Sequence, residues 1–208
     1  MTSEISSQAV TAKKGRSPLY PKRPATEYAL LGLLVDGPSH GYDLTRQFSG
    51  DTELGKVCRL EMSMLYGLLK KLEREGLINS KEESVSENKS RRVVELTEAG
   101  RAEFEAWLAE PVHHNREMRF SFLVKLYFAR LRGEGLVLKL LDEQIEFNQA
   151  LLKQFLVQKQ SASEDPERNF EEWVLDFRVE QTNAALRWLA QCRYQLQGQK
   201  LTRPTPTK

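Results

Sequence analysis

Long apolar runs are missing from this 208-residue chain. The longest, Ala29 to Val35, ends at Asp36-Gly37-Pro38, far short of the roughly 20 residues that carry a helix across a bilayer, so no membrane role is expected. Cysteine is scarce. Cys58 and Cys192 stand too far apart to form a metal knuckle or to staple a small scaffold, which points to a reducing cytoplasm. HExxH is absent, as is any paired-cysteine metal site, so neither catalysis nor a metal or other cofactor is expected. Charge of one sign is not in surplus either: the chain nets +2 with 29% charged and 40% hydrophobic residues, an ordinary globular composition.

That balance conceals a gradient. Residues 1–25 carry Lys13, Lys14, Arg16, Lys22 and Arg23 against Glu4, the last ten residues add Lys200, Arg203 and Lys208, and everything between nets −5. Binding to a polyanion must therefore rest on where the cations sit and on basic arms, not on bulk charge. Residues 1–25 show no apolar periodicity and read as a disordered basic arm. They lack a secretory h-region and the amphipathic spacing of an organellar transit peptide. Residues 199–208 read as a flexible tail.

From Thr26 the pattern turns helical. Thr26 is expected to cap a helix whose buried face is Leu30, Leu31 and Leu34, with Asp36-Gly37-Pro38 ending it. Ser39 then caps a second helix, His40 to Phe48. A third, starting near Met62, sets Leu65, Leu68, Leu69 and Leu72 on one face and Ser63, Tyr66, Gly67, Lys70 and Arg74 on the other. After Gly76 the period alternates: Leu77-Ile78 opens one strand, and Arg92, Val94 and Leu96 alternate in another around the polar tip Asn88-Lys89-Ser90. Thr97 caps a helix through Phe104, Trp107 and Leu108 that Pro111 stops. Three helices and a hairpin in about 85 residues make a winged helix-turn-helix, assigned to residues 26–110.

Residues 111–198 read as three long helices: Glu117 to Arg132, Leu136 to about Gln160, and one beginning after Pro166. The last repeats Phe170, Phe177 and Ala184 beside Val174, Gln181 and Trp188 at seven-residue spacing. Three helices with surplus apolar surface imply a partner, most simply a second copy. The expected fold is thus mainly α: an N-terminal winged helix followed by a C-terminal antiparallel helical dimerisation domain.

Four stretches, in this order and spacing, give the chain a family resemblance. They are Leu31-Gly32-Leu33-Leu34 with Gly37-Pro38-Ser39-His40-Gly41-Tyr42; Ser63-Met64-Leu65-Tyr66 with Leu69 through Ile78; Leu96-Thr97-Glu98-Ala99-Gly100-Arg101; and Leu123 through Ala129. The chain resembles PadR-family transcriptional regulators from about Thr26 to Leu196. The resemblance implies a homodimer whose winged helices bind operator DNA and whose C-terminal helices form the dimer interface. It places Tyr66 and Lys70 on the recognition helix and Arg91 and Arg92 on the return strand of the wing. One departure stands out: family members often carry a glycine at the wing tip and aromatics after the basic pair, where this chain has Asn88-Lys89-Ser90 and Val93-Val94.

The candidate contacts to double-stranded DNA are accordingly Ser39, Ser63, Tyr66, Gly67, Lys70, Arg74, Lys89, Arg91 and Arg92, with Ser63 also expected as an N-cap that turns the helix dipole toward a phosphate. The winged-helix span holds 11 basic and 16 acidic residues, so the arm before Thr26 is expected to supply part of the binding energy. Trp107, Trp173 and Trp188 are candidate walls of a pocket for a small-molecule effector, against the plainer reading of core packing; Trp188 has room beside Ala184 and Ala185. His113 and His114 read as a solvated loop, and both cysteines as small buried hydrophobes. The leading reading is a dimeric repressor on a pseudo-palindromic operator. The alternative is a helical adaptor that takes a protein partner on its C-terminal helices.

Overall fold

A computed structural model describes residues 22–86, 89–163 and 169–201. Most of residues 1–25, Asn88 at the wing tip, Pro166 and residues 202–208 lie outside them. The N-terminal half runs α1 (Ala25–Leu33), β1 (Ser39–His40), α2 (Gly41–Gln47), α3 (Glu53–Val57), α4 (Met62–Arg74), β2 (Ile78–Ser86), β3 (Lys89–Leu96) and α5 (Glu98–Ala109). The C-terminal half begins with α6 (Asn115–Glu117), which passes through a π-helical turn (Met118–Phe122) into α7 (Leu123–Arg132). The long helices α8 (Glu134–Ser163) and α9 (Asn169–Leu201) follow.

Local chemistry sets the boundaries. Helix α4 ends where Gly76 takes φ +73°, a left-handed conformation that favours glycine. Thr97 joins two elements: its hydroxyl accepts from Gly100 N at 3.1 Å to cap α5 and donates to Gly76 O at 2.8 Å. Gly133, at φ +119°, separates α7 from α8. Two expected caps are not formed. Helix α1 starts one residue before Thr26, behind Pro24, and residues 39 and 40 are a short strand, so Ser39 caps nothing. That strand pairs antiparallel with β3, Ser39 opposite Val94, in a sheet of order β1-β3-β2.

The first core gathers Leu30, Leu31, Leu44, Leu54, Leu65, Leu69, Leu72, Ile78, Val94, Phe104 and Trp107. Each large side chain there contributes roughly 1.5–3 kcal/mol by leaving water. The second core, around Phe122, Ala129, Val137, Leu140, Leu141 and Leu189, lies among α7, α8 and α9. Helix α7 belongs to both, since Val124 and Phe128 enter the first while Phe122, at its start, and Ala129 enter the second. Phe128 and Phe104 close over Gly32, where a Cβ would stand 2.6 Å from the Phe128 ring; only glycine lets α7 approach α1 this closely.

Polar bonds fix the same junction. The buried Gln144 amide clasps the linker, accepting from Val112 N at 2.8 Å and donating to Val112 O at 3.0 Å. Arg130 pairs with Glu53 at 2.9 Å, and Arg132 binds the Glu105 carboxylate. Helices α8 and α9 run antiparallel, as the pairs Arg193–Asp142 and Lys159–Asp176, both 2.5 Å, require. With 30 and 33 residues, each is about 45–50 Å long at 1.5 Å per residue.

Candidate nucleic-acid interface

The face of α4 opposite the core is an open surface. Leu65, Leu69 and Leu72 are buried while Ser63, Gly67, Lys70 and Arg74 are exposed, at steps of four, three and four residues that keep them in one row. Met64 flanks the row, also exposed. Ser63 is not the cap: the helix begins at Met62 behind Glu61, and no side chain caps it. Tyr66 does not stand in the row either. It is half-buried, and a Cβ on Gly41 would meet its hydroxyl at 2.8 Å, so its ring lies over the first residue of α2. Tyr66 sets the angle between α2 and α4 and shows only part of itself to solvent.

The wing is bonded to this helix. Arg92 on β3 and Ser80 on β2 both bond the Glu73 carboxylate on the inner side of α4. The Ser80 hydroxyl, with Arg92 adding to it, holds the Glu73 carboxyl below the usual carboxylate range. Arg92 thus ties hairpin to helix. Lys89 and Arg91 pair through their backbones with Ser86 and Glu83 of β2; their side chains lie outside the described residues. Ser39 is half-buried in β1, at the foot of the wing.

The basic arm has less free charge than its composition suggests. Arg23 is buried among Glu27, Glu75 and Glu103, and Lys22 bonds Glu103 at 2.8 Å. Burial would raise the Glu103 carboxyl, but Arg23 and Lys22 outweigh it and hold the group low. These two cations anchor the chain ahead of α1, while Lys13, Lys14 and Arg16 lie outside the described residues. Lys71, adjacent to Lys70, is likewise engaged, donating to Glu27 at 2.6 Å.

Two stretches carry motif spacings that the structure does not turn into sites. Gly37-Pro38-Ser39-His40-Gly41 has the GxSxG spacing of a hydrolase elbow. An elbow holds its serine on a strained strand-to-helix turn, whereas Ser39 sits in a paired strand, and among the described residues only glycines have positive φ. Gly50 through Lys56 has the glycine and lysine spacing of a phosphate loop, but Val57 replaces the metal-binding hydroxyl. A Cβ on Gly55 would also stand 1.7 Å from Ser49 O, so that turn is filled by its own backbone.

Comparison with known proteins falls on the same two halves. A family model described as "Transcriptional regulator PadR-like family" matches residues 30–106, and one described as "Virulence activator alpha C-term" matches residues 118–197. The negative transcriptional regulator PadR of Bacillus subtilis is 31% identical over 142 residues, covering 67% of this chain and 77% of that protein. The chain belongs to the PadR-like family of transcriptional regulators. A probable transcriptional regulator of Mycobacterium tuberculosis is 28% identical over 115 residues, 53% of this chain and 60% of that one. Among solved structures, Bacillus subtilis PadR in complex with operator DNA aligns with a TM-score of 0.43 at 26% identity, covering 85% of this chain and 99% of that one. The same protein in complex with p-coumaric acid aligns with a TM-score of 0.36 at 24% identity, covering 88% and 99%.

In this PadR-like chain the three tryptophans do not share a pocket. Trp107 is a core residue, stacked on Tyr28 with ring centroids 4.3 Å apart, and it borders a cavity of about 420 Å³ between α5, the linker and α7. Trp188 walls a separate groove of about 760 Å³ with Met118, Leu123, Ala184 and Ala185, beside the π-helical turn. Trp173 lines neither and is 69% exposed. Lys125 borders the first cavity: its buried Nζ donates to Trp107 O and Glu110 O and lies 4.7 Å from the Trp107 ring. Burial pushes this amine down to about 8, against the pull of Glu110 and Glu117. His113 stacks on Phe147, and among the described residues no three His, Cys, Asp or Glu side chains gather as metal ligands. Burial raises both thiols, Cys58 to about 11, the opposite of what activates a sensor cysteine.

No sequence signal singled out Lys125 or Gln144, because a lone polar residue within an amphipathic helix looks like a surface residue. The burial of Arg23 was equally hidden, since its three carboxylates come from α1, the residue that follows α4, and α5.

Proposed function

We propose that this regulator binds double-stranded DNA sequence-specifically as a homodimer, with α4 in the major groove and the wing beside it, and represses transcription until a small-molecule or environmental signal releases it. The observation that carries this reading is the bare, cation-ended row Ser63, Gly67, Lys70 and Arg74 on a helix whose other face is locked into the core. A groove about 12 Å wide admits one helix, and only such an outward row reaches base edges. Lys70 and Arg74 have the reach to contact phosphates or bases; Arg92, held by Glu73, positions the wing. Repression is favoured by kinship with a negative regulator.

Dimerisation is supported by α9. Phe170, Trp173 and Phe177 are 75%, 69% and 63% exposed at steps of three and four residues, an apolar stripe that a single chain leaves in water. Covering it with a second copy places two α4 helices about a twofold axis, which requires a pseudo-palindromic operator with half-sites about 10 bp apart or a multiple of that. The cavities beside Trp107 and Trp188 are the places where an effector would bear on the junction at α7. No helix among the described residues is long and apolar enough to cross a membrane, and a cytoplasmic location accords with that.

Selection of duplexes from a random library by the full-length protein, followed by footprinting, tests the reading. It is supported by a symmetric footprint whose affinity drops in Lys70→Ala, with the slope of log Kd against log salt reduced by about 1. Equal affinity for selected and scrambled duplexes would refute it.

A further inference from the structure

Gly67 occupies the middle of the exposed row of α4, and nothing inside the protein accounts for it. A Cβ built there would have no atom within 4 Å, so no neighbour excludes a side chain. Its φ is not positive, so the backbone has no need of glycine. Among the other described glycines, Gly32, Gly41, Gly50, Gly55 and Gly100 each lie against an atom that a Cβ would strike, and Gly37, Gly76 and Gly133 have positive φ. Gly135 and Gly198, as open as Gly67, lie in the first turn of α8 and the last turn of α9, where a helix loses less by a glycine than in its interior. A glycine in a helix interior weakens the helix relative to alanine, because it has more freedom to lose on folding. In the free chain this weakening at Gly67 is uncompensated.

We infer that Gly67 is the closest-approach point of α4 to DNA, where the helix backbone itself meets base edges in the major groove and a Cβ would hold the two apart. This rests on the DNA-binding reading above and sharpens it by assigning specificity to a missing side chain. The polyanion is favoured over an acidic protein surface by the row's two ends. Ser63, one turn before Gly67, is also small, so two successive turns leave the backbone uncovered, and Lys70 and Arg74 follow where the flanking phosphates of a groove would lie. Met64, 59% exposed alongside, supplies an apolar flank suited to a thymine methyl. Lys70 and Arg74 then supply reach and charge, while Gly67 determines how deep the helix sits and which base edges fit under it.

At Gly67 an added Cβ is expected to move stability and binding in opposite directions, which an ordinary surface position does not do. Full-length Gly67→Ala is compared with wild type by thermal unfolding and by titration of the duplex that wild type itself selects from a random library. The expected result is a Tm higher by about 2 °C, from the better helix former, together with roughly tenfold weaker binding, the scale of one disturbed groove contact. Gly67→Ser, with its longer side chain, is expected to weaken binding further. Should Gly67→Ala gain stability and bind its duplex as wild type does, the close approach is overturned while DNA binding stands. Should wild type select no duplex at all, the DNA-binding reading falls and takes this inference with it.

Discussion

The ring of Tyr66 on α4 lies over the Cα of Gly41, where a Cβ would stand 2.8 Å from the phenol oxygen. This contact joins the two helices of the helix-turn-helix at a point where one of them has no side chain. Gly41→Ala should therefore destabilise the protein by about 1–3 kcal/mol, the scale of an overpacked interface, measured by denaturant unfolding. Gly41→Ala combined with Tyr66→Leu should recover much of that loss, because the smaller side chain vacates the space. A fully additive double variant would show that the two residues do not share it.

The bond between Glu73 and Arg92 makes a second coupled pair, this time between helix and wing. Both side chains are about a third exposed, so the pair contributes little to stability, up to about 1 kcal/mol. Its consequence lies in geometry. Glu73→Gln and Arg92→Ala should each weaken operator binding, and the double variant should bind no worse than the poorer single one, as measured by a double-mutant cycle on DNA affinity. If Arg92 instead contacted phosphate directly, Glu73→Gln would leave affinity intact or raise it.

Much of the winged helix was legible in the sequence, and its failures have a common origin. The alternation after Gly76, the Thr97 cap and the apolar face of α4 are local patterns, and local patterns survive without coordinates. The face of Tyr66, the pairing of Arg92 and the anchoring of Lys22 and Arg23 depend on residues 19 to 81 positions away. Helical periodicity assigned Tyr66 to the outer face because it stands three residues after Ser63 and four before Lys70; it could not show that Gly41 leaves a hollow for it. Likewise, cations within a Ser/Pro-rich stretch read as a free arm until α4 and α5 bring Glu75 and Glu103 to them. The short helix α3 passed unseen because five residues carry no period.

Arg23 should behave as a structural residue. Its guanidinium is buried with three carboxylates around it, and removing it leaves Glu27, itself buried, with Lys71 as its remaining cation. Arg23→Ala is expected to cost about 3 kcal/mol, the usual loss when one member of a buried ionic cluster is removed, read from denaturant unfolding. Deleting the chain only as far as residue 21 should leave stability unchanged. If Arg23→Ala unfolds at the wild-type midpoint and merely weakens DNA binding, the residue is a DNA contact after all.

Lys125 gives the junction a pH dependence of known sign. Burial lowers its amine from 10.5 to about 8 in the folded chain, so between those values the unfolded state carries the proton and the folded state has released it. Stability from this group therefore rises with pH across that window, by roughly 3 kcal/mol in all. Cys58 acts in the opposite direction above pH 9, because burial raises its thiol to about 11. The measurable quantity is thus the difference between wild type and Lys125→Met. Relative to the variant, wild type should gain stability from pH 7.5 to 10, and a flat difference would show that the amine titrates normally.

The apolar stripe of α9 makes the oligomeric state testable without reference to DNA. Phe170, Trp173 and Phe177 leave a large aromatic surface uncovered, and aromatic anchors of this kind carry most of the energy of an interface. If a second copy covers them, Trp173→Glu with Phe177→Glu places two charges where the partner's apolar face must lie, and the dissociation constant should rise at least 100-fold in sedimentation equilibrium. Because both positions are solvent-exposed in the single chain, the variant should keep its helix content and its Tm as a monomer. Operator affinity should fall with it, since each half-site would then be held alone. A variant that sediments as wild type does would move the interface off this stripe, and a wild type that is monomeric at all concentrations would leave the twofold operator without a basis.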